Sequence, residues 1–326
     1  MAERHGGEPP RQPRNLQGLL NFCTEITARE DTTTTTAYAE MDPERRAFLE
    51  EALAGMTVDV VKQMAEAVKV LYEDAVMLPE EEVTEQEDAI DLLSEHVEDL
   101  NYAADLQKLG GFPSLVRCLV SPHVSLRIGA ANLIGEVCQN NTYCQENMLA
   151  LNPLPALLQM LDSDDSHQAR IKALFALSCM VRGHAEAEAR FLEFDGLSYL
   201  MRAMQSGVEK LVVKAAFFLN NLVLEHDACK DTVLSMGYVE QLASILSNES
   251  IDEVSREHCT MVLSSLATSY PPALNECLRP ELNLLGLLRN RLSTIKGILE
   301  HEDEEHYITD LLKLVEDDGD DDSNCR

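Results

Sequence analysis

Four blocks of similar length repeat through the central part of the chain, from Gly111 to about Thr268, and this repetition limits the possible folds more than any other feature. Each block opens with a turn-forming residue, and successive blocks are offset by 42, 43 and 41 residues. A period of roughly 40–47 residues is typical of armadillo and HEAT repeats, whose units are small groups of packed helices. The opening residues are Gly111, Pro153, Gly196 and Gly237.

Each block contains a short and a longer segment with apolar residues at helical spacing. In the longer segment a small residue is followed, four positions later, by a large apolar residue. That order suits close packing of helices from neighbouring units. Because one unit cannot bury such a face alone, consecutive units must stack. The sequence therefore predicts an all-α fold, an armadillo-like right-handed helical-repeat solenoid with four clear central repeats and helical caps. The small residues are Ala130, Ala173, Ala215 and Cys259, and the large ones Ile134, Leu177, Leu219 and Leu263.

The segments that flank the repeats are less regular, and five regions are expected. They are a flexible segment with a short amphipathic motif (14–22) over residues 1–42, an N-terminal helical cap over 43–100, the repeats over 101–268, a C-terminal helical cap over 269–315 and an acidic disordered tail over 316–326. Within the first cap, helices are predicted at 43–55 and 57–77.

The motif at 14–22 presents Leu16, Leu19, Leu20 and Phe22 at helical spacing. It is expected either to dock on the solenoid as a short capping helix or to engage another protein as an amphipathic linear motif.

Composition limits the partners, the cellular location and the cysteine chemistry that are expected for this chain. A formal net charge of −31 argues against nucleic acid or an anionic membrane as the principal partner and favours a partner with exposed Lys and Arg. No apolar run approaches the ~20 residues of a membrane span, and the first thirty residues lack the apolar core of a signal peptide. A cytoplasmic or nuclear location is expected. The nine cysteines include no C-x-x-C pair, which favours reduced structural thiols.

Motifs of catalysis and cofactor binding are absent from the sequence. It has no phosphate-binding glycine loop and no nucleophile elbow, so neither an enzymatic activity nor a cofactor is expected. The run HEDEEH, from His301 to His306, resembles a zinc-binding helix. Its histidines are five residues apart, which places them on different sides of a helix. The sequence therefore predicts a solvated charged run there and no metal site.

Function is expected on the surface that stacking creates. In an armadillo-like unit the longer helix lines a concave groove, and positions four residues apart on its free side face a partner. Docking of a folded domain is favoured over an extended peptide, since this chain lacks the Trp ladder of peptide-binding armadillo grooves. Alternatively, Phe175, Phe217 and Met261 simply pack between helices. The predicted contacts are Asn132, Glu136, Phe175, Cys179, Phe217, Asn221, Met261 and Ser265, with Arg182 and Glu225 at the rim.

Several blocks along the chain also carry a family resemblance. The chain resembles the Hsp70-binding protein 1 family of armadillo-type Hsp70 nucleotide-exchange factors, although the glycine-rich N-terminal tract of that family is replaced here by a short polar segment and a threonine run. The matching blocks are RNLQGLLNF (14–22), NYAADLQKLGG (101–111), KALFALSCMVR (172–182), GLSYLMRAMQ (196–205), KAAFFLNNLV (214–223) and ECLRPELNL (276–284).

The resemblance implies a function without catalysis. Its members embrace one lobe of the nucleotide-binding domain of a cytosolic Hsp70 with their concave face and strain or displace the other lobe, which releases ADP and then the client. For this chain it implies a cytoplasmic co-chaperone, expected to be monomeric, whose motif at 14–22 mimics a client. Two alternatives remain: an armadillo-type scaffold that binds peptides, and an inhibitory Hsp70 partner without exchange activity.

Overall fold

The computed structural model describes residues 59–321, and all regular secondary structure in that range is helical. The predicted flexible segment, the motif at 14–22 and the helix at 43–55 lie outside the described residues. Two helices precede the central repeats: α1 (Val60–Val70) and α2 (Thr84–Val97), with a 3₁₀ turn over Asp74–Met77 between them. The helix predicted at 57–77 is therefore shorter than expected.

Each central repeat contains three helices, one more than the two segments identified in the sequence. The additional helix has only eight or nine residues and precedes the turn that opens each block. The units are α3 (Leu100–Lys108), α4 (Gly111–Cys118) and α5 (Val124–Cys138); α6 (Thr142–Leu149), α7 (Leu154–Ser163) and α8 (His167–Val181); α9 (Ala185–Glu193), α10 (Gly196–Gln205) and α11 (Glu209–Glu225); α12 (Asp227–Ser235), α13 (Tyr238–Ser247) and α14 (Glu253–Ser269).

The C-terminal cap continues the same arrangement. It consists of α15 (Pro271–Cys277), α16 (Leu284–Ile295) and α17 (Glu302–Asp321), with 3₁₀ turns over Pro280–Leu282 and Leu299–His301. Helix α17 packs on α14, as α14 packs on α11. It also extends six residues into the segment 316–326, for which a disordered tail was expected.

The third helices of successive units form one continuous row, in which α2, α5, α8, α11, α14 and α17 each pack on the next. The predicted small and large columns lie at the centre of this row. All eight of their side chains are fully buried, from Ala130 and Ile134 in α5 to Cys259 and Leu263 in α14. The packing logic inferred from the sequence is therefore confirmed, since the small residue of each helix permits close approach of the next helix.

The turns that open the second helix of each unit use a left-handed residue at a constant position. These residues are Gly110, Asn152, Asp195 and Gly237. Gly111 and Gly196, which the sequence suggested as the turn residues, serve another purpose. A Cβ at Gly111 would overlap the side chain of Leu106, and one at Gly196 would overlap the ring of Phe191. Glycine is needed there for close packing between the first and second helices.

In three of the units, an arginine in the first turn of the third helix donates a hydrogen bond to a backbone carbonyl near the end of the second helix. Arg127 donates to the Ser121 carbonyl at 3.0 Å, Arg170 to the Leu161 carbonyl at 2.8 Å and Arg256 to the Leu246 carbonyl at 3.0 Å. These carbonyls lie at or just beyond the ends of the second helices, where cations are favourable. Within residues 59–321, every helix is too short or too polar to span a lipid bilayer.

Candidate protein-binding groove

The solvent-facing side chains of α5, α8, α11 and α14 form a continuous strip along the row of third helices, which we call the groove face. Repeat geometry places each predicted pair one helical turn apart on this strip, and the structure shows that the pairs differ greatly in exposure and in bonding. The predicted contact residues therefore share a position in the repeat but not an environment.

The predicted pair on α5, Asn132 and Glu136, forms hydrogen bonds with other side chains of the groove face. Asn132 Nδ2 donates to Glu136 Oε1 at 2.7 Å, and Lys172 Nζ from the next unit donates to Asn132 Oδ1 at 2.6 Å. The second oxygen of Glu136 is buried and has no hydrogen-bond partner among the described residues. These side chains link α5 to α8 and are only partly exposed.

On α8, Phe175 packs against α5 and Cys179 is buried. The Phe175 ring is half-buried and lies directly over Gly135 of α5, where a Cβ would overlap the ring. The structure corrects the prediction for Cys179, whose side chain is only 3% exposed and offers no surface to a partner. Burial raises the pKa of the Cys179 thiol, although Arg182 and Lys214 nearby act in the opposite direction.

The pair on α11 is the most accessible of the four. Phe217 is 42% exposed, and the Arg182 guanidinium lies 5.2 Å from its ring centroid. A cation over an aromatic face is an attractive arrangement. Asn221 is partly exposed, and its Nδ2 donates to the Phe217 carbonyl of its own helix at 2.7 Å. The polar rim residue Arg182 is thus paired with an aromatic ring and not with Glu225.

Glu225 at the end of α11 belongs to a group of ionisable side chains. Its carboxylate accepts from the Gly183 backbone N–H at 3.4 Å and lies 3.8 Å from His226 Nε2. His226 also contacts Glu188 of α9, which is almost fully buried. Burial, with the negative charge of Glu225 as a second cause, raises the pKa of Glu188 from its ordinary value of 4.5 to about 7. A carboxyl that titrates near neutral pH therefore lies beside the groove rim.

Met261 and Ser265 on α14 are both partly exposed. The backbone carbonyl of Ser265 accepts from Ser269 at 2.7 Å, a bond within the same helix. Both side chains keep part of their surface exposed on the groove face, and their role as partner contacts stays a prediction.

Sequence analysis missed the lysines that lie one turn before the aromatic column. The Lys172 and Lys214 ammonium groups lie 5.9 Å and 5.3 Å from the centroid of the Phe175 ring. Each lysine precedes a groove phenylalanine by three residues, so the repeat spacing alone would have located them.

The HEDEEH run is not uniformly solvated, which corrects the sequence prediction. Glu304 is fully buried and accepts from Arg291 of α16 at 3.0 Å and 2.7 Å. Arg291 also bonds to Glu253 of α14. Glu253, His301 and Glu304 lie close enough to share an ion, but the guanidinium already stands between the two carboxylates. The group therefore joins α14, α16 and α17 through an internal cation.

All seven described cysteines are buried free thiols. Burial raises the pKa of all seven, to about 12 for Cys118 and about 11 for Cys144. Such thiols are packed as small apolar groups and are poor nucleophiles at neutral pH.

A row of stacked third helices with a side-chain groove defines an armadillo-type helical-repeat protein. Solved structures agree with this class: a designed armadillo repeat protein superposes with a TM-score of 0.64 at 16% sequence identity, covering 77% of this chain and 99% of the designed chain. A second designed armadillo repeat protein, solved in complex with the peptide (KR)4, gives the same TM-score and identity and covers 77% and 98% of the two chains.

Comparisons of sequence identify the family. Residues 102–279 match the SIL1/FES1/HPBP1 C-terminal domain, and residues 16–106 match the family described as nucleotide exchange factor Fes1. Hsp70-binding protein 1 of Mus musculus is 39% identical over 97% of this chain and 90% of its own length. Hsp70 nucleotide exchange factor FES1 of Candida glabrata is 26% identical over 76% of this chain and 86% of its own. The chain belongs to the SIL1/FES1/HPBP1 family.

Proposed function

We propose that this chain is a nucleotide-exchange factor for a cytosolic Hsp70 chaperone, acting as a monomer without catalysis. Relatives that align with most of the chain are named as Hsp70-binding proteins and Hsp70 nucleotide exchange factors. The structural observation that carries the proposal is Phe217, which stays exposed on the groove face beneath Arg182. Exposed aromatic and arginine side chains are enriched among the residues that dominate protein interfaces.

The proposed binding surface is the groove face, and the proposed target is the nucleotide-binding domain of Hsp70. To promote exchange, the chain must bind the open form of that domain more tightly than the closed, ADP-bound form. A rigid helical row suits this task, since its packed third helices hold the groove side chains in fixed positions along the strip. ADP then leaves, ATP enters and the client is released.

The release rate of a fluorescent ADP analogue from Hsp70, with and without this chain, tests the proposal. Marked acceleration is expected. Binding without acceleration would contradict exchange activity and would instead support an inhibitory partner. A scaffold that binds peptides would show neither effect on ADP and would bind extended peptides through Asn221, so Asn221→Ala would abolish its peptide binding.

The N-terminal motif has a separate proposed role. Leu16, Leu19, Leu20 and Phe22, outside the described residues, are proposed to mimic a client and to discourage rebinding of the released client. Deletion of residues 1–40 should leave ADP release intact and slow client release. Equal slowing of both steps would contradict this role.

A further inference from the structure

Four cations without carboxylate partners cluster on the groove face between α8 and α11. They are Lys172, Arg182, Lys210 and Lys214. Within residues 59–321, no carboxylate oxygen lies within 4.0 Å of their charged nitrogens. The chain has 57 acidic and 26 basic residues, so carboxylates are abundant. Lys108, Lys230 and Lys313 each bond to one. Isolated lysines without a carboxylate partner among the described residues occur elsewhere, such as Lys69 and Lys296, but the groove face places four such cations on two adjacent helices.

Hydrogen bonds and aromatic contacts orient three of these residues, Lys172, Arg182 and Lys214. Lys172 donates to an uncharged amide, Asn132 Oδ1, at 2.6 Å. Lys172 and Lys214 approach the ring of Phe175, and Arg182 approaches the ring of Phe217. Aromatic and amide groups orient a cation but leave its charge uncompensated.

The pKa of Lys214 is consistent with surroundings that lack a carboxylate. Its pKa lies below the ordinary value of 10.5, first because of burial and then because of the positive charges of Lys172 and Lys210. A neighbouring carboxylate would act in the opposite direction. Glu136, the nearest groove carboxylate on α5, is bonded to Asn132 instead.

The cluster also lies where the helix row is least tightly packed. Helix α8 makes a less extensive contact with α11 than with α5, and α11 makes a more extensive contact with α14 than with α8. The unpaired positive charge therefore lies at the least extensive helix contact of the row.

We infer that the strip between α8 and α11 receives an acidic element of the partner, with a carboxylate placed between the Lys172 and Lys214 ammonium groups. This inference rests on the proposed function and specifies the chemistry of the surface that the groove face recognises. It also modifies the expectation from net charge, because an acidic chain with a basic strip selects a partner whose contact surface carries both signs. Complementary charge of this kind fixes the register of two docked surfaces and speeds their association.

A charge-reversal pair in the full-length protein tests the inference. Lys172→Glu/Lys214→Glu is compared with Lys69→Glu/Lys296→Glu, which changes the net charge equally at exposed positions outside the groove face. Affinity for the nucleotide-binding domain of Hsp70 is measured at about 50 mM and about 200 mM salt. The groove pair should lose on the order of tenfold or more at low salt, and less at high salt, while the control pair should lose less than about threefold.

Each other outcome overturns the inference. Equal losses in the two pairs would show a general effect of net charge. Tighter binding by the groove pair would show that the strip faces a basic surface of the partner. If the charge-reversal pair fails to fold, Lys172→Gln/Lys214→Gln is used, for which a loss of roughly threefold or more is expected. If the unmodified protein accelerates ADP release and the groove pair binds normally, only this inference fails. If the unmodified protein does not bind Hsp70, the proposed function fails with it.

Discussion

The groove face has a closed half on α5 and α8 and an open half on α11 and α14. In the closed half, Asn132 bonds to both Glu136 and Lys172, and the Phe175 ring packs over Gly135. In the open half, the Asn221 amide and the Ser265 carbonyl bond only within their own helices and Phe217 remains exposed. The same repeat position thus yields a structural contact in one unit and an available surface in the next.

The difference has a simple steric origin. Gly135 is one turn after Asn132 on α5, and Ser178 holds the equivalent position on α8. Because glycine has no side chain, the Phe175 ring of the following unit can approach the α5 backbone closely. Ser178 has a buried side chain at the corresponding place, so Phe217 has no such recess. One residue of the preceding unit therefore decides whether a groove aromatic is part of the packing or part of the surface.

The largest expected effect is on binding through the open half. Phe217→Glu should weaken Hsp70 binding by about 2 kcal/mol or more, roughly thirtyfold, since it replaces an exposed aromatic anchor by a charge. Unfolding free energy should change by less than about 1 kcal/mol because 42% of the side chain is exposed to solvent. Calorimetric titration and chemical denaturation measure the two quantities.

A matched control for this change is Phe194→Glu. Phe194 is similarly exposed, at 39%, but precedes the turn into α10 and lies away from the third helices. Comparable loss of binding in both variants would contradict a specific role for the open half.

Gly135→Ser should convert the closed half toward the open one. The introduced side chain meets the Phe175 ring, so a destabilisation of about 1–3 kcal/mol is expected from overpacking. Without that clash, replacing a helical glycine would stabilise the protein. Urea denaturation of a double-mutant cycle with Phe175→Ala measures the clash, and additivity of the two changes would contradict this account.

The rim of the open half should make stability depend on pH. Glu188, with a pKa of about 7, keeps its proton to higher pH in the native protein than in the unfolded chain. Raising the pH from about 5 to about 7 should therefore reduce native stability, and Glu188→Gln should remove roughly 1–2 kcal/mol of that loss. Thermal unfolding of both proteins across this range is the measurement. His226, Glu225 and Cys229 face Glu188, so parallel pH profiles of the two proteins would assign the dependence to other groups.

The smallest effect distinguishes the two groove asparagines. Asn132→Ala should cost about 1 kcal/mol of stability, because Glu136 and Lys172 lose the amide between them. Asn221→Ala should cost less than about 0.5 kcal/mol, since its amide bonds only to a carbonyl of its own helix. Denaturant midpoints compare them, and equal costs would contradict the division into halves.

Periodicity predicted the buried columns well because burial within a helix row depends on residues that repeat. Exposure on the groove face was less predictable, as Cys179 shows, since it depends on what the adjacent unit places over each position. The first helices were missed because each has only eight or nine residues, and in α6 the apolar residues show little helical periodicity. Glu304 was also missed, because its burial depends on Arg291 arriving from another helix.

The central claim is that the chain favours the open form of Hsp70, and its most direct test is the affinity of the chain for Hsp70 with and without ADP. Linkage requires ADP to weaken that affinity by the same factor by which the chain weakens ADP binding. We predict tight binding to nucleotide-free Hsp70 and a matching loss when ADP is saturating. Equal affinity in the two states would contradict the account, since such a protein could not displace ADP however tightly it bound.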